Sequence, residues 1–416
     1  MRSLALFLSM IGLTAACGEA PAPPPSAPAA TTPAPAPAPQ DPNLIKVVSS
    51  LPRTGSAKAQ TDTIVNGIRM ALDEAGMKVG NFTLKYEDLD DATASAGQWT
   101  AEKEAANANQ AIMDPDVMVY IGTYNSGAAK IAIPLLNEAN LLMISPANTW
   151  PGLTKPKRGD PGEPEIYQKS GKINYTRVVP ADDLQGPLGA EWALKLGLKK
   201  VYILDDREVY GKGIADLFQL RAEEIGLKVL GHEGIDSQAQ EFKSLMTKIK
   251  AASPDLVYFG GTTQTKAGQV AKDMIAVGLK CKIMVPDGCF EDAFISSAGA
   301  ENLNDRALIT FGGLPPEKLK GKGAEFVKHY KAKYGKDPEA YAVYGYEAAK
   351  VALEAIRIAG KKDRDAIRAA CLSIKNFDGA LGKWSFDKNG DTTMKRMSGN
   401  TVRNGKFEFV EELGGD

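Results

Sequence analysis

The sequence predicts an α/β protein made of two lobes, each with its own parallel β-sheet. From residue 44 onward, short apolar runs alternate with longer stretches of helical periodicity. Most of the short runs are continuously apolar, as in parallel strands that are buried on both faces. A break near Pro180 divides the predicted strands into two sets of similar size, which together exceed what one compact sheet usually holds.

The predicted elements follow one another in strict order along the chain. Strands are predicted at residues 44–49, 82–86, 117–121, 141–144, 201–204, 229–231, 256–259, 282–285 and 308–311. Helical periods cover residues 62–75, 128–139, 212–225, 241–251, 266–277, 325–334 and 341–359. Gly76, Gly226 and Gly278 directly follow three of these helices, as C-terminal glycines do. The chain closes with residues 383–387 and with a segment, 388–410, that we interpret as polar and turn-rich.

The first forty residues differ from the rest. A basic start, about ten apolar residues and a small-residue segment before Cys17 match a secretory signal peptide, since such a run is too short to span a bilayer. The position of Cys17 resembles bacterial lipoprotein signals. We therefore predict a signal peptide at 1–16 and lipidation of Cys17; the alternative is an ordinary secretory signal with an incidental cysteine. Residues 17–42, mostly Pro, Ala, Ser and Thr, predict an extended, lipid-anchored tether.

Composition and motifs exclude several functional classes. Lys plus Arg total 50 and Asp plus Glu 51, so no global field favours nucleic acid as a partner. Only two histidines are present, and neither a phosphate loop nor a Gly-x-Ser-x-Gly elbow occurs. The sequence therefore predicts no enzymatic activity, no cofactor and no metal site.

The pairing of two cysteines remains open, and a cluster of aspartates receives a structural interpretation. Cys281 and Cys289 lie eight positions apart and either pair in an oxidising envelope or remain reduced thiols. Asp88, Asp90 and Asp91 lack a calcium-loop pattern, and we interpret them as the solvated end of a strand.

The loops after two predicted strands carry the functional signal. Ser126 follows one strand and Thr149 the next, each beside a predicted helix start. Free backbone N–H groups and the positive end of a helix dipole both favour an anion such as a carboxylate. The alternative interpretation is simple N-capping by the two hydroxyl groups.

Five short motifs in one order then carry a family resemblance. They are Ile121-Gly122-x-x-x-Ser126, the run Met143 to Thr149, Tyr210-Gly211-Lys212-Gly213, Tyr258-Phe259-Gly260-Gly261 and Val285-Pro286-Asp287-Gly288. From about residue 44 to 391 the chain resembles the leucine/isoleucine/valine-binding proteins of branched-chain amino-acid ABC importers. The resemblance implies a type I periplasmic binding fold, with two Rossmann-like lobes of parallel sheets joined by a hinge. The N-terminal lobe would comprise 43–180 and 313–383, and the C-terminal lobe 181–312 and 384–416.

The resemblance also implies roles for individual residues. By position, Ser126, Ala147 and Thr149 bind the α-carboxylate of the ligand, and Asp287 pairs with its α-ammonium group. Such groups are chemically required, because a zwitterion removed from water needs donors for one end and acceptors for the other. The alternative for Asp287 is a turn residue before Gly288.

The rest of the implied site departs in part from the family pattern. Tyr210 matches a tyrosine that closes over the ligand from the second lobe, and Tyr341 matches an aromatic wall of the side-chain pocket. Gln60 and Thr262 stand where leucine binders carry aromatic residues. Trp150 is a candidate wall in their place, and Asp287 is one methylene shorter than the usual glutamate. The head-group site is therefore better supported than the side-chain pocket.

Together these observations predict a lipid-tethered receptor of the cell envelope, in the periplasm or on the outer face of the cytoplasmic membrane. It would bind an amino acid, of the branched-chain type, by hinge closure and deliver it to an ABC permease and ATPase complex. Its only membrane contact would be the N-terminal lipid. One alternative is a sensory receptor of the same fold for an amide, urea or another small solute. The second, an enzyme on two Rossmann-like lobes, has no supporting sequence feature.

Overall fold

The computed structural model describes residues 41–415. The predicted signal peptide, the lipidation at Cys17 and nearly all of the tether lie outside these residues and stay predictions. None of the helices within 41–415 is both long enough and apolar enough to cross a membrane.

Strands and helices alternate along most of the described chain. The strands are β1 (Leu44–Leu51), β2 (Lys78–Val79), β3 (Phe82–Asp90), β4 (Ala92–Thr93), β5 (Gln98–Trp99), β6 (Val117–Gly122), β7 (Leu142–Ser145), β8 (Tyr175–Arg177), β9 (Lys200–Asp205), β10 (Lys228–Gly234), β11 (Leu256–Gly260), β12 (Lys282–Val285), β13 (Ala307–Gly312), β14 (Phe377–Gly379), β15 (Gly382–Trp384), β16 (Met397–Arg403) and β17 (Lys406–Leu413). The helices are α1 (Lys58–Glu74), α2 (Ala101–Met113), α3 (Ser126–Glu138), α4 (Asp182–Lys195), α5 (Val209–Glu224), α6 (Lys243–Ala252), α7 (Ala267–Ala276), α8 (Asp292–Ala298), α9 (Ala300–Leu303), α10 (Lys322–Tyr334), α11 (Ala342–Ala359) and α12 (Arg364–Leu372).

The first sheet has the order β2-β3-β1-β6-β7-β8, and all neighbours except β2 and β3 run parallel. Strand order reverses between β1 and β6, where Ser50 lies opposite Gly122. At such a reversal the loops after two adjacent strands diverge to opposite faces and leave a crevice for a ligand.

The second sheet has the order β10-β9-β11-β12-β13-β16-β17. Its first five strands are parallel, and β16 and β17 complete it as an antiparallel hairpin. Here strand order reverses between β9 and β11, where Asp205 lies opposite Gly260. The parallel strands β9, β11, β12 and β13 are almost fully buried, as their continuous apolar runs predict.

Each sheet is packed between helices. Helices α2, α3, α11 and α12 lie on the first sheet, and α1 packs along α11; α4 and α5 lie on the second sheet. We call the first sheet with α1–α3 and α10–α12 the first half, and the second sheet with α4–α9 the second half. The chain passes between the halves after β8, after β13 and again before β16.

All nine predicted strands are confirmed, as β1, β3, β6, β7 and β9–β13. The seven predicted helices are also present, with ends displaced by at most four residues. Gly76, Gly226 and Gly278 have φ of 63°, 80° and 70°. A left-handed conformation at these positions ends the helix without the steric cost that a side chain would add.

The interpretation of residues 388–410 as turn-rich is wrong, because this segment supplies β16 and most of β17. Asn404 and Gly405 have φ of 49° and 70° and form the two-residue hairpin turn between the strands. Asn-Gly is a strong hairpin signal, and β17 alternates exposed and partly buried residues, as an edge strand does.

The solvated interpretation of the acidic strand end is wrong for Asp91, which is fully buried at the end of the first sheet. Asp88 instead lies 3.1 Å from the Arg53 guanidinium. Among the described cysteines, Cys281, Cys289 and Cys371 carry no disulfide, so the pairing that the sequence left open does not form in this structure.

Candidate functional site

The loops after six parallel strands converge between the two halves. β1, β6 and β7 end toward this cleft from the first half, and β9, β11 and β12 from the second. Ligands of open α/β sheets bind at the carboxyl ends of the strands, at the point where strand order reverses. The topology therefore brings together residues that are far apart in sequence.

Two connected chambers fill the cleft. The inner chamber has a cavity volume of about 20 Å³ and is lined by Tyr124, Asn125, Ser126, Ala147, Tyr210, Thr262, Asp287, Gly288 and Tyr341. The outer chamber also has a cavity volume of about 20 Å³ and shares Tyr124, Asn125, Ser126, Tyr210 and Thr262 with it. Pro52, Ala57, Gln98, Trp99, Gly127, Asp206, Glu208, Gln264 and Thr265 complete its wall.

Asp287 is the charged centre of the inner chamber. Its Oδ1 accepts hydrogen bonds from Tyr210 Oη at 2.6 Å and Gln185 Nε2 at 2.9 Å, and its Oδ2 accepts one from Tyr341 Oη. Burial raises the pKa of this carboxyl group, against the opposing effect of the three hydrogen bonds. A carboxylate offers about four acceptor positions, so one position remains for a ligand donor.

The opposite wall is the N-terminus of α3. Its first residue is Ser126, and the preceding Asn125 makes no side-chain cap, so the first N–H groups of the helix are uncapped there. The Ser126 hydroxyl is not a cap either, because it accepts a hydrogen bond from the Trp150 backbone N–H at 3.3 Å. N-capping therefore does not explain this serine, and the helix end presents donors suited to an anion.

The loop after β7 is held from behind by Arg177. This guanidinium is fully buried, donates to the carbonyl oxygens of Asn148 and Trp150 at 3.3 and 2.8 Å, and lies 2.6 Å from Asp391 Oδ1. Asn148 ties the same loop to the loop after β6 through the Tyr124 carbonyl at 3.0 Å. Both loops of the anion end are thus fixed by buried hydrogen bonds.

Thr149 and Asp182 lie beside the chambers with polar atoms that lack partners within residues 41–415. The buried Thr149 Oγ1 and both carboxyl oxygens of Asp182 make no hydrogen bond of normal geometry there, although the Thr149 hydroxyl is near enough to Asp182 to oppose the rise of its pKa. The two residues are joined by the bond from the Asp182 N–H to the Thr149 carbonyl at 2.9 Å. Burial and the charge of Asp287 raise the pKa of Asp182 well above its ordinary range.

The structure brings most, but not all, predicted site residues to the chamber walls. Ser126, Ala147, Tyr210, Thr262, Asp287 and Tyr341 line the inner chamber, whereas Thr149 and Gln60 lie behind its wall. The Ala147 N–H, a predicted carboxylate donor, already donates to Ser145 Oγ at 3.1 Å. Gln60 Oε1 accepts a hydrogen bond from Tyr124 Oη, so Gln60 positions a wall residue.

Trp150 does not line either chamber. Its ring lies against Gly213, where a Cβ would come within 2.4 Å of the ring, and its Nε1 donates to Glu163 Oε2 at 2.9 Å. The side chain therefore joins the halves across the cleft instead of forming the proposed wall.

Sequence reasoning missed Tyr124, Asp182 and Gln185. Tyr124 stands in the middle of a loop that was singled out for its hydroxyl residues, and Asp182 and Gln185 lie in the first turn of an unpredicted helix, α4. Acidic and amide residues at a helix start directly after the Pro180 break were the available signal.

A cleft between two α/β halves, with a buried carboxylate at one wall and a helix N-terminus at the other, defines a protein that encloses a small ligand between two lobes. The chain belongs to the periplasmic binding protein family, whose sequence model matches residues 44–406. The predicted type I fold is thereby confirmed, and the family is one of substrate-binding, non-enzymatic proteins.

Individual relatives agree with this assignment. The chain is 31% identical over 355 residues to the Leu/Ile/Val-binding protein homolog 2 of Brucella abortus, covering 84% of this chain and 88% of that protein. It is 28% identical to an amino acid binding protein of Pseudomonas aeruginosa, covering 82% of this chain and 85% of the relative. The crystal structure of the leucine binding protein LivK from Thermotoga maritima matches with a TM-score of 0.79 and 27% identity, over 89% of this chain and 98% of that chain.

Proposed function

We propose that this protein binds an amino acid between its two halves and delivers it to an ABC importer. The observation that carries this proposal is the buried Asp287 carboxylate facing the uncapped N-terminus of α3 across one small chamber. The relatives named as Leu/Ile/Val-binding and leucine-binding proteins support the branched-chain class of ligand. The permease and ATPase complex is proposed as partner on the same ground.

The two ends of the inner chamber suit the two charges of an α-amino acid. The α-ammonium group would donate to the remaining acceptor position of Asp287, and the α-carboxylate would accept from the first turn of α3 and from Ser126. No lysine, arginine or histidine lines the two chambers, so a ligand anion would depend on these neutral donors.

Ligand capture would occur by rotation of the halves about the three segments that connect them. These segments run side by side: Gly313 N–H donates to the Arg396 carbonyl at 2.9 Å, and a Cβ on Gly312 would lie 3.4 Å from Pro180 and 3.7 Å from Met397. Adjacent crossing segments form a compact hinge. We keep the predicted lobe boundaries at 180/181 and 312/313 for this proposed closure.

For the third boundary we propose about residue 396 instead of the predicted 383/384. Asp391 lies against Arg177 and accepts from Thr154 Oγ1 at 3.0 Å, both in the first half, whereas β16 begins at Met397 in the second sheet. The segment before β16 therefore moves with the first half in the proposed closure.

The experiment is calorimetric titration of the full-length protein with leucine, isoleucine and valine. Asp287→Asn keeps the shape of the side chain but removes its charge, and losing one partner of such a pair costs about 2–5 kcal/mol. Affinity should fall about 30-fold or more, at about 1.4 kcal/mol per tenfold. Asp292→Asn, which changes an exposed acid five residues away, is the matched control. An unchanged affinity in Asp287→Asn, or no binding of any amino acid by the wild type, would contradict the proposal.

We further propose that Cys17 carries a lipid that holds the receptor at the outer face of the cytoplasmic membrane. This proposal depends on the sequence signal alone. Mass spectrometry of the membrane fraction should find an acylated N-terminus at Cys17, and Cys17→Ser should release the protein into the soluble envelope fraction. A free N-terminus at another residue would exclude lipidation.

A further inference from the structure

The outer chamber extends the proposed ligand site toward the mouth of the cleft. The roles predicted from the sequence involve none of the residues that line only this chamber. It adjoins the inner chamber, with which it shares five wall residues, and its own cavity volume is about 20 Å³ while the two halves are closed on each other. Of the residues that line it, Pro52, Ala57, Trp99, Tyr124 and Tyr210 are the largely apolar ones, and no leucine, isoleucine, valine, methionine or phenylalanine is among them. An aliphatic side chain that reached this chamber would find few partners for dispersion contacts.

The chamber contains two carboxyl groups without a matching positive charge. Asp206 and Glu208 line it, and neither carboxylate lies within ion-pair distance of a lysine, arginine or histidine in residues 41–415. Asp206 is 4% exposed and is held by Thr265 Oγ1 at 2.7 Å and by the Glu208 N–H at 2.9 Å. Burial raises the pKa of Glu208 and raises that of Asp206 to about 7, as expected for carboxylates without a cationic partner.

A further acceptor in the same wall lacks a donor. Gln264 Nε2 donates to Glu291 Oε1 at 2.7 Å, and with the amide in this orientation Gln264 Oε1 is buried without a hydrogen bond in the described residues. A buried acceptor that lacks a donor costs free energy, which a ligand donor would recover.

Trp99 completes the chamber with an aromatic face. Its ring packs on Gly127, the second residue of α3, where a Cβ would lie 2.7 Å from the ring. The absence of a side chain at position 127 thus lets the ring approach the helix closely. An aromatic face next to carboxylates is a favourable environment for an ammonium or guanidinium group.

We propose that the outer chamber binds the cationic end of a ligand side chain, with Glu208 as the specificity-determining residue. The protein would thus accept amino acids with a side chain ending in an ammonium or guanidinium group, in addition to amino acids with aliphatic side chains. This inference rests on the proposed amino-acid function, because the head group must first be anchored at Asp287 and α3.

Glu208 is placed for this role by the backbone. It immediately precedes α5 without capping it through its side chain, and its N–H is fixed on Asp206. The carboxylate is only partly buried and makes no hydrogen bond in the described residues, so it is available to a ligand at the mouth of the cleft.

The test is calorimetric titration of the full-length protein with lysine and arginine against norleucine, which has a linear side chain of similar length without a charge. We expect lysine or arginine to bind at least tenfold more tightly than norleucine. Glu208→Gln should reduce the affinity for the cationic amino acid about tenfold and change that for norleucine less than twofold. Glu223→Gln, at the exposed far end of α5, is the matched control and should change neither.

The outcomes separate this proposal from the one on which it rests. Norleucine binding as tightly as lysine and arginine, with Asp287→Asn weakening all three, would overturn the outer-chamber proposal and leave the amino-acid function standing. Tighter binding of glutamine than of lysine or arginine would also overturn it, in favour of a neutral amide. Unchanged lysine and arginine affinity in Glu208→Gln would exclude Glu208. No binding of any amino acid would overturn both proposals.

Discussion

The hydroxyl group of Tyr341 donates a hydrogen bond to Asp287 Oδ2 across the cleft. Tyr341 immediately precedes α11 in the first half, whereas Asp287 follows β12 in the second half. Tyr210 and Gln185 hold the other carboxyl oxygen from the second half. The carboxylate that we propose as the partner of the ligand's ammonium group therefore also joins the two halves through its hydrogen bonds.

Tyr341→Phe removes this connection and keeps the ring that packs edge-on against Phe311 at 5.7 Å. A hydrogen bond to a charged group contributes about 1.5–3 kcal/mol. We expect amino-acid affinity to fall about tenfold or more by calorimetry, because both the closed state and the orientation of Asp287 lose support. Tyr346→Phe, which removes a hydroxyl bonded to Glu74 on the surface, is the control. Equal losses in the two variants would argue against a specific role of Tyr341.

Gly213→Ala should impair closure through Trp150. A Cβ at position 213 would lie 2.4 Å from the Trp150 ring, closer than non-bonded carbon atoms approach. The halves can relieve this clash by opening, so we expect amino-acid affinity to fall at least tenfold with little change in the unfolding temperature. The double variant Gly213→Ala/Trp150→Ala should recover part of the affinity. A double variant that binds no better than Gly213→Ala would contradict the steric explanation.

Asp391→Ala should destabilise the protein, since Arg177 is fully buried and would lose its counter-charge. Breaking a buried ion pair from one side costs about 3–5 kcal/mol of unfolding free energy. Urea unfolding should show this loss, and affinity should fall as well because Arg177 holds the loop after β7. Asp216→Ala, which breaks an exposed pair with Lys212, should leave stability nearly unchanged. A stability in Asp391→Ala equal to that of the wild type would contradict the assignment.

The buried carboxyl groups Asp91 and Glu104 should make stability dependent on pH. Burial raises both pKa values, that of Asp91 to about 8; the charge of Asp90 contributes for Asp91 and the charge of Asp91 contributes for Glu104. Neither Asp91 oxygen has a hydrogen-bond partner in the described residues. The native state therefore retains protons that the unfolded chain releases above about pH 4. Stability should fall as pH rises from 5 to 8, by at most about 1.4 kcal/mol per pH unit for each such group.

Asp91→Asn should make this decline shallower, because the substituted side chain no longer titrates. The measurement is urea unfolding of the wild type and the variant at pH 5, 6, 7 and 8. Glu102→Gln, an exposed acid in the first turn of α2, should retain the slope of the wild type. An identical slope in Asp91→Asn and the wild type would show that Asp91 is not the titrating group.

Much of the fold was predictable because buried parallel strands and amphipathic helices leave strong local patterns. The six strands that bear the site were all located from apolar runs; they are β1, β6, β7, β9, β11 and β12. The hairpin β16–β17 was missed although Asn404 and Gly405 mark its turn, because an edge strand with polar alternate residues resembles a loop. α4 was missed because its polar start and Pro187 hide the helical period.

The sequence alone determined the order of the elements, the loops that carry the site and the residue types that such a site needs, since these depend on local periodicity and on the positions of individual residues. Only the tertiary structure decided which of these residues meet. In the folded protein Gln60 lies behind the Tyr124 wall, the Ala147 N–H donates to Ser145, and the Trp150 ring packs against Gly213. Gln185 and Tyr341 both donate hydrogen bonds to the Asp287 carboxylate, although they lie 102 and 54 residues from Asp287 along the chain. Such contacts depend on how two sheets close on each other, and no local pattern of residues encodes that approach.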